Sequence, residues 1–179
     1  MLIFAQTTTY VDALYNILGE IYSGDVTRYH SRIKPERRKK ELLFDFLQGK
    51  RKIMISTSAF SMGIDVSDIE LVVHFNAPIS MTDYIQQIGR AGRDGRKAHC
   101  ILFYDQNGDD EAISNSFIKK AKKQSPKAAK TIKTKLSQVH DLIHSDSCMV
   151  CDILEYQGQH ERKTCKRCTV CAQKRRNSK

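Results

Sequence analysis

Short apolar runs alternate with helical patterns through the first hundred residues, and this alternation is what most limits the fold. Residues 8–21 and the run between Pro35 and Gly49 repeat their apolar side chains at the helical period. The strand-like runs are LIFA (2–5), VTRYH (26–30), KIMIST (52–57), IELVVHF (69–75) and HCILFYD (99–105). The order of these runs predicts an α/β fold with an open, mostly parallel sheet and helices on both faces.

An open parallel sheet binds ligands in loops at the carboxyl ends of its strands. The loop after KIMIST is therefore one expected site of chemistry. The helix after VVHFNAP is another, and Ser80 with Asp83 resembles the capping box that would start it. Cys100 lies inside the last apolar run, so we expect it to be a buried strand residue.

Positive charge is concentrated in the second part of the chain. Residues 1–111 contain 14 Lys and Arg against 15 Asp and Glu, whereas residues 112–179 contain 16 against 5. Residues 112–140 hold eight lysines and no carboxylate, in helices that Pro126 should interrupt at Ser125. Clustered lysines favour a polyanion such as nucleic acid, and a merely solvated surface is the alternative.

The cysteines indicate a metal site in a reducing compartment. Five of the six fall between residues 148 and 171. Four of them follow the pattern C-x16-C-x2-C-x2-C, which suits tetrahedral zinc, with free thiols in a small core as the alternative. The predicted ligands are Cys148, Cys165, Cys168 and Cys171, and Cys151, one helical turn after Cys148, is an alternative first ligand.

No apolar run approaches the roughly 18 residues of a membrane span, and MLIFA is too short for a signal-peptide core. These features predict an intracellular protein, nuclear if the source is eukaryotic.

The segment QQIGRAGRDGR (86–96) contains three arginines and three glycines and comes at the end of a predicted helix. Such arginines suit a phosphate, yet no GxxxxGK[ST] loop occurs in the 179 residues. The acidic DDEA (109–112) follows QNG rather than a strand, which indicates a loop and helix start. The sequence therefore contains arginines suited to a phosphate, but it contains no phosphate-binding loop for a nucleotide.

The ordered motifs resemble those of the RecQ family of superfamily 2 helicases. YIQQIGRAGRDG (84–95) resembles motif VI, residues 55–80 resemble the motif V region, and residues 2–14 resemble motif IV, followed by VTRYHS (26–31). The resemblance implies a RecA-like second motor domain over 1–108, a basic helical connector over 109–146, a small helical zinc-binding subdomain over 147–172 and a basic tail over 173–179. The first motor domain, with the phosphate loop and acidic metal box, would be absent from this chain.

The resemblance also implies roles for single residues. Arg93 is the expected arginine finger, Arg90 a second phosphate contact or an internal bridge, and Gln86 a coupling residue. Gly63 and Asp65 would couple the motif V loop to the nucleotide. The implied cofactors are Zn²⁺ and ATP with Mg²⁺, the latter shared with the first motor domain.

DNA contact in this family lies along the top of the motor domains. The resemblance places four residues there as phosphate-binding donors, namely Ser56, Thr57, Ser58 and Ser61. Two positions depart from the family pattern, because Ser61 replaces an expected glycine and Gln87 replaces a common glutamate.

The implied function is ATP-dependent 3′–5′ unwinding of DNA, with single strands and junctions as expected partners. The alternative is a zinc-stabilised nucleic-acid-binding module that does not hydrolyse ATP. A DEAD-box RNA helicase is a third reading, which the cysteine cluster weakens.

Overall fold

The structure is a computed structural model that describes residues 1–61, 66, 69–160 and 163–177, with Ser61 described in its backbone alone. The strands are β1 (Leu2–Phe4), β2 (Val26–Tyr29), β3 (Ile53–Ser56), β4 (Leu71–His74) and β5 (His99–Leu102). The helices are α1 (Thr8–Ile21), α2 (Glu36–Leu47), α3 (Met81–Ile88), α4 (Asp109–Gln124), α5 (Pro126–Ile143), α6 (Met149–Tyr156) and α7 (Thr169–Asn177). A short 3₁₀ turn, Ser58–Ser61, follows β3.

The five strands form one parallel sheet in the order β2-β3-β1-β4-β5. Phe4 at the end of β1 pairs in register with Ser56 of β3 and with His74 of β4. The carboxyl ends of the three central strands therefore lie at one level of the sheet. The predicted α/β fold with a parallel sheet is confirmed.

Side chains alternate across the central strands, so each face of the sheet has its own apolar core. Leu2, Phe4 and Met54 point to the face that contains Phe46 of α2. Their neighbours in sequence form the other core, with Val11 of α1. Helices thus cover both faces, as the sequence predicts, because each strand alternates its side chains between them.

The expectation that Cys100 is buried is wrong. Cys100 does lie in β5, but its side chain is exposed, as is that of Ile101 next to it. β5 is an edge strand, so it has a hydrogen-bonded neighbour on one side only. An apolar run predicts the strand, but it does not reveal the strand's place in the sheet.

Hydroxyl side chains cap the first turns of α1 and α5. The hydroxyl of Thr7 accepts from Tyr10 N at 3.2 Å at the start of α1. The hydroxyl of Ser125 accepts from Ala128 N at 3.0 Å, and Pro126 is the first residue of α5. The interruption predicted at Ser125 is confirmed, because proline fits the first turn of a helix but not its interior.

The chain divides into two compact units. One comprises Met1–Pro78 and Gln86–Ser116, and the other comprises Ile79–Ile85 and Phe117–Lys179. The first unit contains the sheet and its two cores, and the second contains the lysine-rich helix α5 and the cysteines after it. Across the described part of the chain, no helix has the combined length and apolar character that crossing a bilayer requires.

Candidate functional site

The three arginines of the opening motif lie on a turn built from glycines. Gly92 and Gly95 adopt φ values of 65° and 80°, a region that residues with a Cβ rarely enter. A Cβ on Gly92 would also meet the Arg96 carbonyl oxygen at 3.0 Å and the Ala98 Cβ at 3.2 Å. Glycine at position 92 is therefore required by both conformation and space.

The turn holds its arginines in different environments. Arg90 is only 8% exposed, whereas Arg93 is exposed and its Nε donates to the Gly89 carbonyl at 2.9 Å. Arg96 forms ion pairs with Asp94 at 2.7 Å and with Glu70 at 3.1 Å. Of the two arginines predicted to meet phosphate, Arg93 lies at the surface and Arg90 lies in the interior.

The arginine turn, which comprises residues 89–96, lies beside the amino-terminal end of β4. Gly92 N donates to the Ile69 carbonyl at 3.0 Å, and Ile69 forms an isolated parallel bridge with Ala91. The turn therefore lies at the opposite end of β4 from the carboxyl edge where we expected chemistry. Gln86 is exposed on the last turn of this helix.

The residues predicted to contact DNA follow β3. Ser56 is fully buried, and its hydroxyl donates to the Tyr29 carbonyl at 2.6 Å, with the Thr57 carbonyl oxygen also near it at 2.9 Å. Its hydroxyl thus joins the ends of two strands and does not face solvent, which corrects its expected placement. Thr57 is half-buried and Ser58 is exposed.

Three predicted residues fall in the loop between β3 and β4. Gly63 and Asp65 lie outside the described residues, as does the side chain of Ser61. In sequence this loop joins the carboxyl end of β3 to Ile69, beside the arginine turn.

Four cysteines of the second unit converge on one point. The Sγ atoms of Cys148, Cys165, Cys168 and Cys171 all lie within 4.8 Å of one another. Two of these separations, Cys165 to Cys171 and Cys148 to Cys168, are 4.0 Å. A tetrahedral Zn²⁺ with bonds of about 2.3 Å would set its sulfurs about 3.8 Å apart. The arrangement therefore fits a tetrahedral metal ion.

Backbone amides surround these sulfurs. Cys165 N donates to Cys148 Sγ at 3.3 Å, and Cys168 N donates to Cys165 Sγ at 3.2 Å. Lys166, between the two CxxC cysteines, has a φ of 59°, which bends the chain so that the amides can face the sulfur. Amide donation to sulfur favours the thiolate that a metal binds.

Within the cluster, the pKa values of Cys148 and Cys171 shift in opposite directions. Burial raises the pKa of Cys148, but donation from the Cys165 amide and from neighbouring groups outweighs burial and lowers it to about 6. Burial and the adjacent Cys168 sulfur raise the pKa of Cys171 to about 12. Sulfurs this close do not all ionise without a cation, because the thiolates repel one another.

Cys151 occupies a different position from these four sulfurs. It lies on α6, one turn after Cys148, and its Sγ donates to the Lys163 carbonyl at 3.5 Å. The structure places Cys148 in the four-sulfur group and leaves Cys151 outside it.

Comparison with known proteins assigns the chain to a family. The helicase conserved C-terminal domain family matches residues 1–95, which include the sheet up to β4, α3 and the arginine turn through Gly95. An ATP-dependent DNA helicase RecQ of Bacillus subtilis is 32% identical over 176 residues, which cover 97% of this chain. The chain is a RecQ-like helicase C-terminal domain.

The RecQ-like chain spans 28% of the length of the Bacillus subtilis protein. A putative ATP-dependent RNA helicase of Acanthamoeba polyphaga mimivirus is 35% identical over 80% of this chain and 25% of its own length. Among solved structures, the C-terminal domain of the DEAD-box protein Dbp5 has a TM-score of 0.51 at 30% identity, covering 65% of this chain and 68% of the other. These likenesses support the RecA-like fold of the first unit.

One buried polar pair of the RecQ-like domain was not predicted from the sequence. His74 Nε2 lies 2.8 Å from Gln87 Oε1, and both side chains are buried. His74 sits within the apolar run of β4, where nothing in the sequence indicates its partner. The one feature of the sequence that pointed to this pair was Gln87 itself, because the RecQ pattern commonly has a glutamate at this position.

Proposed function

We propose that this RecQ-like chain supplies the second motor domain of an ATP-dependent 3′–5′ DNA helicase, with Arg93 as its arginine finger. The contrast between exposed Arg93 and buried Arg90 carries the proposal. A finger must reach a phosphate held by another domain, which the surface position of Arg93 allows. Arg90 then serves as an internal residue of the turn, and Gln86 lies exposed on the preceding helix.

The nucleotide cradle comes from a different segment or a different chain. Residues 1–179 contain no GxxxxGK[ST] loop, so ATP and Mg²⁺ require a first RecA-like domain. Arg93 would neutralise charge that develops on the transferred phosphoryl group. An arginine supplied in this way raises the rate by about 10³–10⁵. Gly63 and Asp65 would link the motif V loop to the same cleft.

DNA is the proposed polymer because the RecQ relatives are named DNA helicases. Thr57 and Ser58, together with Ser61, are the proposed phosphate contacts, and Ser56 holds the strand end behind them. Such contacts position a strand without reading its sequence. Single strands and junctions are the proposed substrates.

The proposed organisation follows the chemistry of each segment. The motor domain occupies 1–108, a basic connector 109–146, a zinc subdomain 147–172 and a basic tail 173–179. Zn²⁺ bound by Cys148, Cys165, Cys168 and Cys171 would hold the subdomain together; four thiolates are the donor set that structural zinc prefers.

The test combines this chain with a first RecA-like motor domain, encoded with it or added as a separate protein. Arg93→Ala should lower DNA-stimulated ATP hydrolysis by about 10³-fold or more without changing zinc content. Lys97→Ala, which removes an exposed charge just after the turn, is the matched control and should hydrolyse ATP normally. Equal activity of Arg93→Ala and Lys97→Ala would refute the finger assignment.

A binding-only module is the second candidate, and the eight lysines without a carboxylate in residues 112–140 favour it. It predicts nucleic-acid binding by the chain but no ATP hydrolysis with any first motor domain. Competition between DNA and RNA of one sequence would also separate a DNA motor from an RNA motor.

A further inference from the structure

The His74–Gln87 pair joins the end of β4 to the last turn of α3. His74 has no exposed surface and Gln87 is 2% exposed. The two residues lie 13 positions apart in sequence, and their side chains meet at 2.8 Å. The ring of Phe4 stacks on His74 with centroids 5.5 Å apart, which fixes the imidazole from the neighbouring strand β1.

The pair is uncharged. Burial lowers the pKa of His74 to about 4, so the imidazole is neutral at physiological pH. The Oε1 atom of Gln87 can only accept a hydrogen bond, so Nε2 of His74 carries the proton and donates. A glutamate at position 87 would still offer an acceptor to Nε2 of His74, but it would place a carboxylate in this buried site.

The backbone of Gln87 also contacts the arginine turn that follows α3. Its backbone carbonyl accepts from Arg90 N at 3.1 Å, and the next carbonyl, of Ile88, accepts from Ala91 N at 3.0 Å. Gly92 N then donates to the Ile69 carbonyl at 3.0 Å. The turn is therefore tied to both ends of β4, by a backbone bond at Ile69 and by a side-chain bond at His74.

We propose that Gln87 is a positioning residue, whose hydrogen bond to His74 sets the place of the turn that presents Arg93. The proposal rests on the finger role of Arg93. Small displacements of an aligned group are costly in catalysis, and a shift of about 1 Å can reduce a rate by about 10²-fold. The loss of this one hydrogen bond should therefore slow phosphoryl transfer through a displacement of Arg93.

Gln87→Met tests the bond, because methionine keeps the length of the side chain and removes its acceptor. In the complex with a first motor domain, we expect kcat for DNA-stimulated ATP hydrolysis to fall about 10-fold or more, with KM for ATP nearly unchanged. In this chain alone, the Gly92 amide should exchange its hydrogen faster.

Val11→Ala is the control for a loss of stability alone, since Val11 of α1 is fully buried in the other core of the sheet, apart from the core that contains Ile69 and Ala91. It should lower the melting temperature but leave kcat per folded molecule unchanged. Gln87→Glu keeps an acceptor for His74 and should retain more of the parent's kcat per folded molecule than Gln87→Met does, so an equal loss of kcat in the two variants would overturn the proposal.

The two assignments fail separately. If Arg93→Ala keeps full activity, the finger role is wrong, and Gly92 exchange in Gln87→Met alone decides whether Gln87 positions the turn. If Arg93→Ala is inactive while Gln87→Met leaves both kcat and Gly92 exchange unchanged, the finger role stands and the positioning role is refuted. Faster Gly92 exchange with unchanged kcat would likewise refute it.

Discussion

The Sγ atoms of Cys148 and Cys168 lie 4.0 Å apart, although 20 positions separate the two residues in the chain. Between residues 147 and 177, the buried side chains among those described are Cys148 and Cys171. The segment therefore has little apolar core of its own. Its folding free energy must come largely from whatever joins the sulfurs, and a structural zinc contributes about 10–16 kcal/mol in small domains.

Substitution of single cysteines should separate ligands from bystanders. We expect Cys168→Ser to lose bound zinc, because it removes one of four converging sulfurs. Cys151→Ser should keep one zinc per chain, since Cys151 lies outside that group. Metal analysis of the purified variants measures both. Zinc loss from Cys151→Ser together with retention in Cys148→Ser would instead make Cys151 the first ligand.

Lys166 should tolerate glycine better than a branched side chain. Its φ of 59° costs an L-residue about 1–2 kcal/mol, and glycine avoids this cost while losing about 0.5–1 kcal/mol of chain entropy. Lys166→Gly should therefore hold zinc at least as tightly as the parent, whereas Lys166→Val should hold it more weakly. Competition with a chromogenic chelator reports the affinities.

Arg167→Val is the matched control for Lys166→Val, because it places the same side chain at the adjacent position, outside the residues with positive φ. Equal zinc affinity in Lys166→Val and Arg167→Val would contradict a role for the left-handed conformation.

Ser125→Ala should destabilise the second unit by about 1 kcal/mol, because it removes the side-chain cap from Ala128 N at the start of α5. Ser125→Asp should restore the loss, since aspartate caps helices equally well. Thermal unfolding followed by circular dichroism measures both. A Ser125→Ala protein that unfolds like the parent would show that the first turn of α5 is held by other contacts.

The elements with local signals were predictable from sequence. The helical period gives α1, and the serine before Pro126 gives the boundary between α4 and α5, because capping and proline sterics act within a few residues. The convergence of the cysteines also follows from spacing, since CxxC pairs place sulfurs close together.

Features that depend on distant partners were not predictable. Ser56 is buried with its hydroxyl bonded to the carbonyl of Tyr29, 27 residues earlier in the chain. The exposure of Cys100 depends on β5 being an edge strand. The bond between His74 and Gln87 joins residues 13 positions apart, and no local pattern encodes their contact.

The lysines of α5 should dominate the salt dependence of DNA binding. Lys127, Lys130 and Lys133 are exposed and span about a third of the helix circumference, with no carboxylate between residues 112 and 140. Each lysine that meets a phosphate releases counterions and contributes about 0.7 to the slope of log K against log salt for single strands. Replacing all three by glutamine should reduce that slope by about 2.

A control with the same change in charge replaces Lys50, Lys52 and Lys97 by glutamine. Lys50 and Lys52 already pair with Asp45 and Asp25, at 3.6 and 3.2 Å, and all three precede the amino ends of strands. A lysine that already has a carboxylate partner releases few counterions when DNA binds, so the slope should change little. Fluorescence anisotropy of a labelled single strand at several salt concentrations measures both slopes. An equal reduction of the slope in the two triple variants would mean that net charge, rather than the α5 surface, governs binding.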